Sequence, residues 1–208
     1  MIQSKKQLSF FIMADMMMNR GKFKMTFLDR LKNLFISDDI MKYLEVLRKT
    51  SFYKNSSHPI NKLLFIWYYR KLKILGQKLG FSIGVDSLGY GVVIPHHGTI
   101  VIGGAPRIGN YAVLHTSTCI SDNKKVIGDG LYLATGAKIT SEVTLGDYVS
   151  IGANSVVNKS FLDNNVLIAG IPARIIKEES PWFMRDGKLF EERVARIELL
   201  KSKMGLLN

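Results

Sequence analysis

From Ile102 to Val157 a branched or long aliphatic side chain returns at every sixth position, as Ile102, Ile108, Leu114 and Ile120, then Ile127, Leu133, Ile139, Leu145, Ile151 and Val157. The step between these two ladders is seven, which places one extra residue near Asn123, Lys124 and Lys125. A helix repeats its side-chain direction every ~3.6 residues and a strand every ~2, so neither gives this period. A chain coiled into short rungs, each ending in a corner, does so with the ladder residue always pointing inward. Three six-residue rungs then close one triangular coil of eighteen residues.

The residues after the ladder positions, Gly103, Gly109, Ser121, Gly128, Ala134, Thr140, Gly146 and Gly152, are mostly small. A corner with an unusual backbone angle predicts that choice. Small or branched residues also recur four places after the ladder, as Ala112, Thr118, Ala137, Val143, Val149 and Ser155. These are the hexapeptide repeats of a parallel β-helix, whose coils bury their apolar faces only by stacking.

With 208 residues, 47% of them hydrophobic and 22% charged, the chain is long enough for one compact unit with a small appended part. The lone Cys119 excludes an internal disulfide and a cysteine metal cluster, and predicts a reducing, cytoplasmic setting. It adjoins ladder residue Ile120, so packing suits it better than a nucleophile's role. The formal charge of +12 favours an anionic partner. No nucleic-acid reading motif accompanies it. Much of the excess lies before the repeats, Arg48 and Lys49 included, where it reads as solvated helix surface.

Residues 1–80 read as helices over Gln3 to Met18, Phe27 to Phe35, Asp38 to Ser51 and Pro59 to Leu79, with Ser37 as a cap and Pro59 in a first turn. His58 reads as loop or cap. The amino-terminal apolar run is cut by Asp15, Asn19 and Arg20 and predicts no export signal. Leu63 to Tyr69 is too short to span a bilayer. With Lys62, Arg70, Lys71 and Lys73 at its edges it suits either peripheral contact with an anionic membrane or, preferably, protein packing. The expected organisation is a helical region 1–80, a β-helix 81–177, and a tail 178–208. Asp163 ends the regular prism. A packing helix follows over Phe190 to Met204, with Leu189, Val194, Ile197 and Leu200 on one face.

Ile94 precedes Ile102 by eight residues rather than six, so two extra residues swell the corner that holds His96 and His97. Swollen corners are where a repeat scaffold can carry function. Three rungs beyond Ile94 is Leu114, then Leu133, then Ile151. His96 and His115 are therefore expected on one edge of adjacent coils, with Ala134, Thr135 and Gly136 stacked above. An elongated ligand would fit along such an edge, since small residues let backbone groups approach it.

The repeats, the stretch Ile94-Pro95-His96-His97-Gly98-Thr99-Ile100-Val101-Ile102-Gly103, the stretch Ala134-Thr135-Gly136-Ala137-Lys138-Ile139 and the closing Gly170-Ile171-Pro172-Ala173-Arg174 resemble serine acetyltransferases and their polysaccharide-modifying relatives. The resemblance covers about residues 81–177. It implies a left-handed parallel β-helix, acetyl transfer from acetyl-CoA without a metal, and a homotrimer with active sites between subunits. The family's catalytic histidine falls on His96, with His97 and His115 as further catalytic candidates. The implied donor contacts are Ala134, Thr135, Gly136, Ala153 and Asn154, with Lys138, Lys159, Arg174 and Lys177 for phosphates.

Where the serine enzymes carry aspartates, fifteen residues before the histidine and directly before it, this chain has Phe81 and Pro95. The long loop that holds an Arg-His pair for the amino acid shrinks to about Asp122 to Lys125. These departures favour a sugar hydroxyl, as in capsular polysaccharide O-acetyltransferases acting on a lipid-linked repeat unit, and the positive charge suits an acidic sugar. The alternatives are a serine O-acetyltransferase of cysteine biosynthesis and a noncatalytic β-helix, whether a scaffold or a metal-binding relative of the carbonic anhydrases built on His96, His97 and His115.

Overall fold

The computed structural model describes residues 1–56 and 58–206, with the side chain of Arg30 excepted. Four helices come first: α1 (Lys5–Arg20), α2 (Phe27–Phe35), α3 (Asp39–Lys54) and α4 (Pro59–Leu79). Ser4 caps α1 and Gly21 ends it in the left-handed region. The cap of α3 is Asp38, whose carboxylate accepts from the Met41 N–H, so the expected cap at Ser37 is wrong by one residue. His58 caps α4 through its imidazole, ahead of Pro59 in the first turn.

The chain then winds into a β-solenoid of about five turns. One face holds β1 (Phe81–Ile83), β2 (Ile100–Ile102), β5 (Thr118–Ile120), β8 (Lys138–Ile139) and β11 (Val156–Val157). A second holds β3 (Arg107–Ile108), β6 (Val126–Ile127) and β9 (Thr144–Leu145). The third holds β4 (Val113–Leu114), β7 (Tyr132–Leu133), β10 (Ser150–Ile151), β12 (Val166–Gly170) and β13 (Ala173–Glu178). All neighbours are parallel except β12 and β13, which form an antiparallel hairpin at one end of the stack. Every ladder residue from Ile102 to Val157 is buried and stacks on its counterpart one coil away, as in Ile102 on Ile120 on Ile139 on Val157.

The small residues after the ladder have a different cause from the one expected. The left-handed angles fall two residues later, at Tyr111, Gly130 and Tyr148 in one corner column and at Ser117, Gly136 and Asn154 in another. Gly109, Gly128 and Gly146 are instead glycine because a Cβ there would collide with Asp129, Asp147 and Asn164 of the next coil. Those side chains accept from the N–H groups of Asn110, Asp129 and Asp147 at 2.7, 2.8 and 2.7 Å, so each coil caps a corner of the one before it.

The stack also continues past Asp163. Phe161 bridges to Leu145, and Ile168 stacks on Ile151, so the coil is completed with one residue fewer than eighteen. Beyond it a short helix α5 (Trp182–Arg185) and α6 (Lys188–Lys203) turn back towards the amino terminus. Ile197 is buried, and Val194 and Leu200 pack beside it in an apolar cluster with Phe10, Ala14 and Met17 of α1. Leu189, expected on the same face, points to solvent.

Candidate active site

The corner between the third face and the first carries the residues of interest. Val93 pairs with Val113, and Ile100 with Thr118, so six residues on the lower coil span what four span above. The two extra residues expected around His96 are therefore present as a bulge. His96 is exposed at this bulge, and His115 is half-buried on the next coil. Burial first, then the proximity of His96, pushes the His115 imidazole below its ordinary pKa. His115 thus favours the neutral form, and the strand register sets His96 and His115 at the same corner of adjacent coils.

Above His115 the backbone forms a continuous ladder. The His115 N–H donates to Leu133 O at 3.1 Å, Ala134 N–H to Ile151 O at 3.1 Å, and Gly152 N–H to Ile168 O at 2.9 Å. In the adjacent column the Gly136 N–H donates to Thr116 O and the Asn154 N–H to Thr135 O. Ala134, Thr135, Gly136, Ala153 and Asn154 are therefore on one corner, with Thr135, Ala153 and Asn154 exposed. Lys138 joins them, its ammonium 3.0 Å from Gly136 O. Arg174 pairs with Ala169 in the closing hairpin, whose Gly170 N–H reaches Ser155 Oγ at 3.0 Å.

Other expected site residues are elsewhere. His97 lines a cavity of about 820 Å³ with Met16, Met25, Phe35, Leu79 and Arg20, and His115 is not part of that lining. Lys159 follows β11 at the far end of the first face, its ammonium 5.3 Å from the Phe161 ring centroid. Lys177 is on β13 and pairs with Glu179 at 3.2 Å, so it meets an anionic ligand only in competition with that carboxylate. Among the described residues no cluster of three or more metal-ligating side chains is present.

The structure adds a group that the repeats do not reveal. The Tyr132 and His115 ring centroids are 5.1 Å apart, and the Arg185 guanidinium lies 4.5 Å from the Tyr132 ring centroid. Arg185 also pairs with Glu179 and Asp186, each at 2.7 Å, and donates to Ser150 Oγ at 3.3 Å. The anchor for this arrangement is Trp182, buried, with its indole N–H 2.8 Å from Tyr111 O. One wall of the His115 edge is thus made by the chain after the solenoid.

No family model matches the chain. Curated serine acetyltransferases do: that of Staphylococcus xylosus is 30% identical over 137 residues, and that of Staphylococcus epidermidis strain RP62A is 29% identical over 137. Each alignment covers 60% of this chain and 62% of the relative, so the chain spans less than two thirds of the proteins it matches. Solved structures of serine acetyltransferases share the fold. The Neisseria gonorrhoeae enzyme aligns with a TM-score of 0.62 at 17% identity, covering 85% of this chain and 69% of that one. The Brucella abortus strain S19 enzyme gives 0.61 at 23% identity, covering 84% and 69%. A serine acetyltransferase in complex with CoA gives 0.58 at 20%, covering 81% and 68%.

Proposed function

We propose that this chain is an acetyl-CoA-dependent O-acetyltransferase with His96 as general base. The observation that carries the reading is the shared edge of His96 and His115 beneath a column of small residues, Ala134 to Gly136 and Ala153. The small side chains of that column suit the close approach of a narrow arm to the backbone. The similarity to serine acetyltransferases, one of them solved with CoA, supports the same donor. We assign its phosphates to Lys138, beside Gly136, and to Arg174 on the closing hairpin.

In the reaction the neutral imidazole of His96 takes the proton of the acceptor hydroxyl as that oxygen attacks the thioester carbonyl. The new C–O bond forms, the C–S bond breaks, and the proton leaves with the thiol of the free coenzyme. His115, held towards its neutral form, is assigned the role of orienting the acceptor beside His96. His97, turned into the helical cavity, becomes a secondary candidate.

The relatives favour L-serine as the acceptor. A second reading, a sugar hydroxyl on a surface polysaccharide or its lipid-linked unit, is supported by Phe81 and Pro95. Phe81 is buried against the Tyr43 ring at 5.1 Å, so the place where the resemblance implies an aspartate holds no charge for an amino group. Thiol release with purified protein, compared for L-serine, neutral sugars and uronic acids, separates the readings. A higher kcat/KM for L-serine removes the sugar, and equal rates on uronic acids and their carboxyl-reduced forms remove the acidic preference. His96→Ala is expected to lower transfer by about 10²–10⁴. Full transfer by the folded variant would overturn the assignment of the base.

A further inference from the structure

Neither the solenoid nor the corner uses the outward arc of α4. Its inward arc, Tyr68, Leu72, Leu75 and Leu79, packs into the main core. About 120° round the helix Ile60, Leu63, Trp67 and Ile74 recur at helical intervals and form one line of about 21 Å along the axis. They are 61%, 69%, 55% and 56% exposed. A helix apolar on both arcs needs cover on both.

The polar residues of that arc indicate the cover. Arg70 and Lys71 flank the apolar line on its two sides, with Lys62 and Lys73 beyond Arg70, and α4 contains no acidic residue. Among the described residues none of these four cations has an acidic partner. The Lys71 ammonium is 5.3 Å from the Trp67 ring centroid, and that of Lys73 is 5.3 Å from Tyr69. Cations alongside amphipathic rings, flanking an apolar line, match a surface that is apolar below and anionic above. A second copy meeting this face through a two-fold axis would set cation against cation with no carboxylate between them. No helix among the described residues is long and apolar enough to cross a bilayer, so α4 would lie along the surface.

We propose that α4 docks this chain in the plane of an anionic lipid bilayer. Leu63, Trp67 and their neighbours enter the boundary between headgroups and acyl chains, while Arg70 and Lys71 bind lipid phosphates. The chain has two tryptophans. Trp182 is 2% exposed inside the fold, so a change in emission on lipid binding reports Trp67.

The test mixes the full chain with vesicles of phosphatidylcholine alone and of phosphatidylcholine with phosphatidylglycerol. The expected result is pelleting and a blue shift with the anionic vesicles only, both weakened by salt. The pair Arg70→Glu and Lys71→Glu should lower partitioning by roughly fivefold or more per charge. Leu63→Ser with Trp67→Ser should abolish pelleting while leaving the melting temperature unchanged. Failure of the parent chain to bind anionic vesicles overturns the proposal, as does binding that these variants leave intact. A fall in oligomeric mass in the Leu63→Ser, Trp67→Ser variant would also overturn it, by assigning the face to a contact between copies.

Discussion

Burying a guanidinium costs several kcal/mol unless its charge and its N–H groups are engaged, and at Arg48 they are. Its Nε donates to Asp15 at 2.8 Å, and its terminal nitrogens reach Leu88 O at 2.8 Å and Gly89 O at 2.6 Å. Asp15 in turn accepts from the Val92 N–H at 3.0 Å. Two helices are thereby fixed to the irregular coil that leads into His96. Arg48→Ala should cost about 3–5 kcal/mol in denaturant unfolding because it strands the buried Asp15 carboxylate. Adding Asp15→Ala should recover part of that loss. A single-variant cost below about 1 kcal/mol would show that water reaches the site. By composition Arg48 is one cation among many on a basic helix, and only its partners in α1 and the coil distinguish it.

At the scale of elements, the next coil's carboxylates and amides select for glycine. Gly128 has no left-handed angle to satisfy, yet a Cβ there meets Asp147 and the Gly146 backbone. Gly128→Ala should therefore destabilise by about 1–3 kcal/mol through overpacking. Gly104→Ala, whose Cβ would meet only Asp122 Oδ1 at 3.9 Å, should stay within about 0.5 kcal/mol of the parent in the same denaturant experiment. The ladder made the three faces, their register and the swollen His96 corner legible in the sequence, because each follows from counting along one repeating path. The His115–Tyr132–Arg185 wall was not legible. It depends on where non-repeating chain returns after Pro181, and the anchor, Trp182 on Tyr111 O, joins residues 71 apart. The continuation through Phe161 and Ile168 was hidden for a related reason: a coil one residue short breaks the count without breaking the stack.

For the whole molecule, the resemblance implies a trimer, and the protomer leaves apolar surface for one. Val101 and Val126 point outward from two faces of the solenoid, and Ile175 and Ile176 are exposed on β13. Light scattering should give a mass about three times the 23.4 kDa protomer, and a monomeric mass would refute the trimer. Under the proposed function, a neighbouring protomer in such a trimer would cover the edge on which His96 is exposed.

The hairpin of β12 and β13 has a further consequence for assembly. A stack of parallel coils has two sticky ends, and in principle one molecule's last coil could template the first coil of the next. Here the final strand reverses direction, so its free edge offers the wrong hydrogen-bond phase for a parallel newcomer. At the opposite end α4 packs against β1, with Gly76 so close to the Phe81 carbonyl that a Cβ would not fit. Head-to-tail growth is thereby opposed on the third face at one end of the column and on the first face at the other.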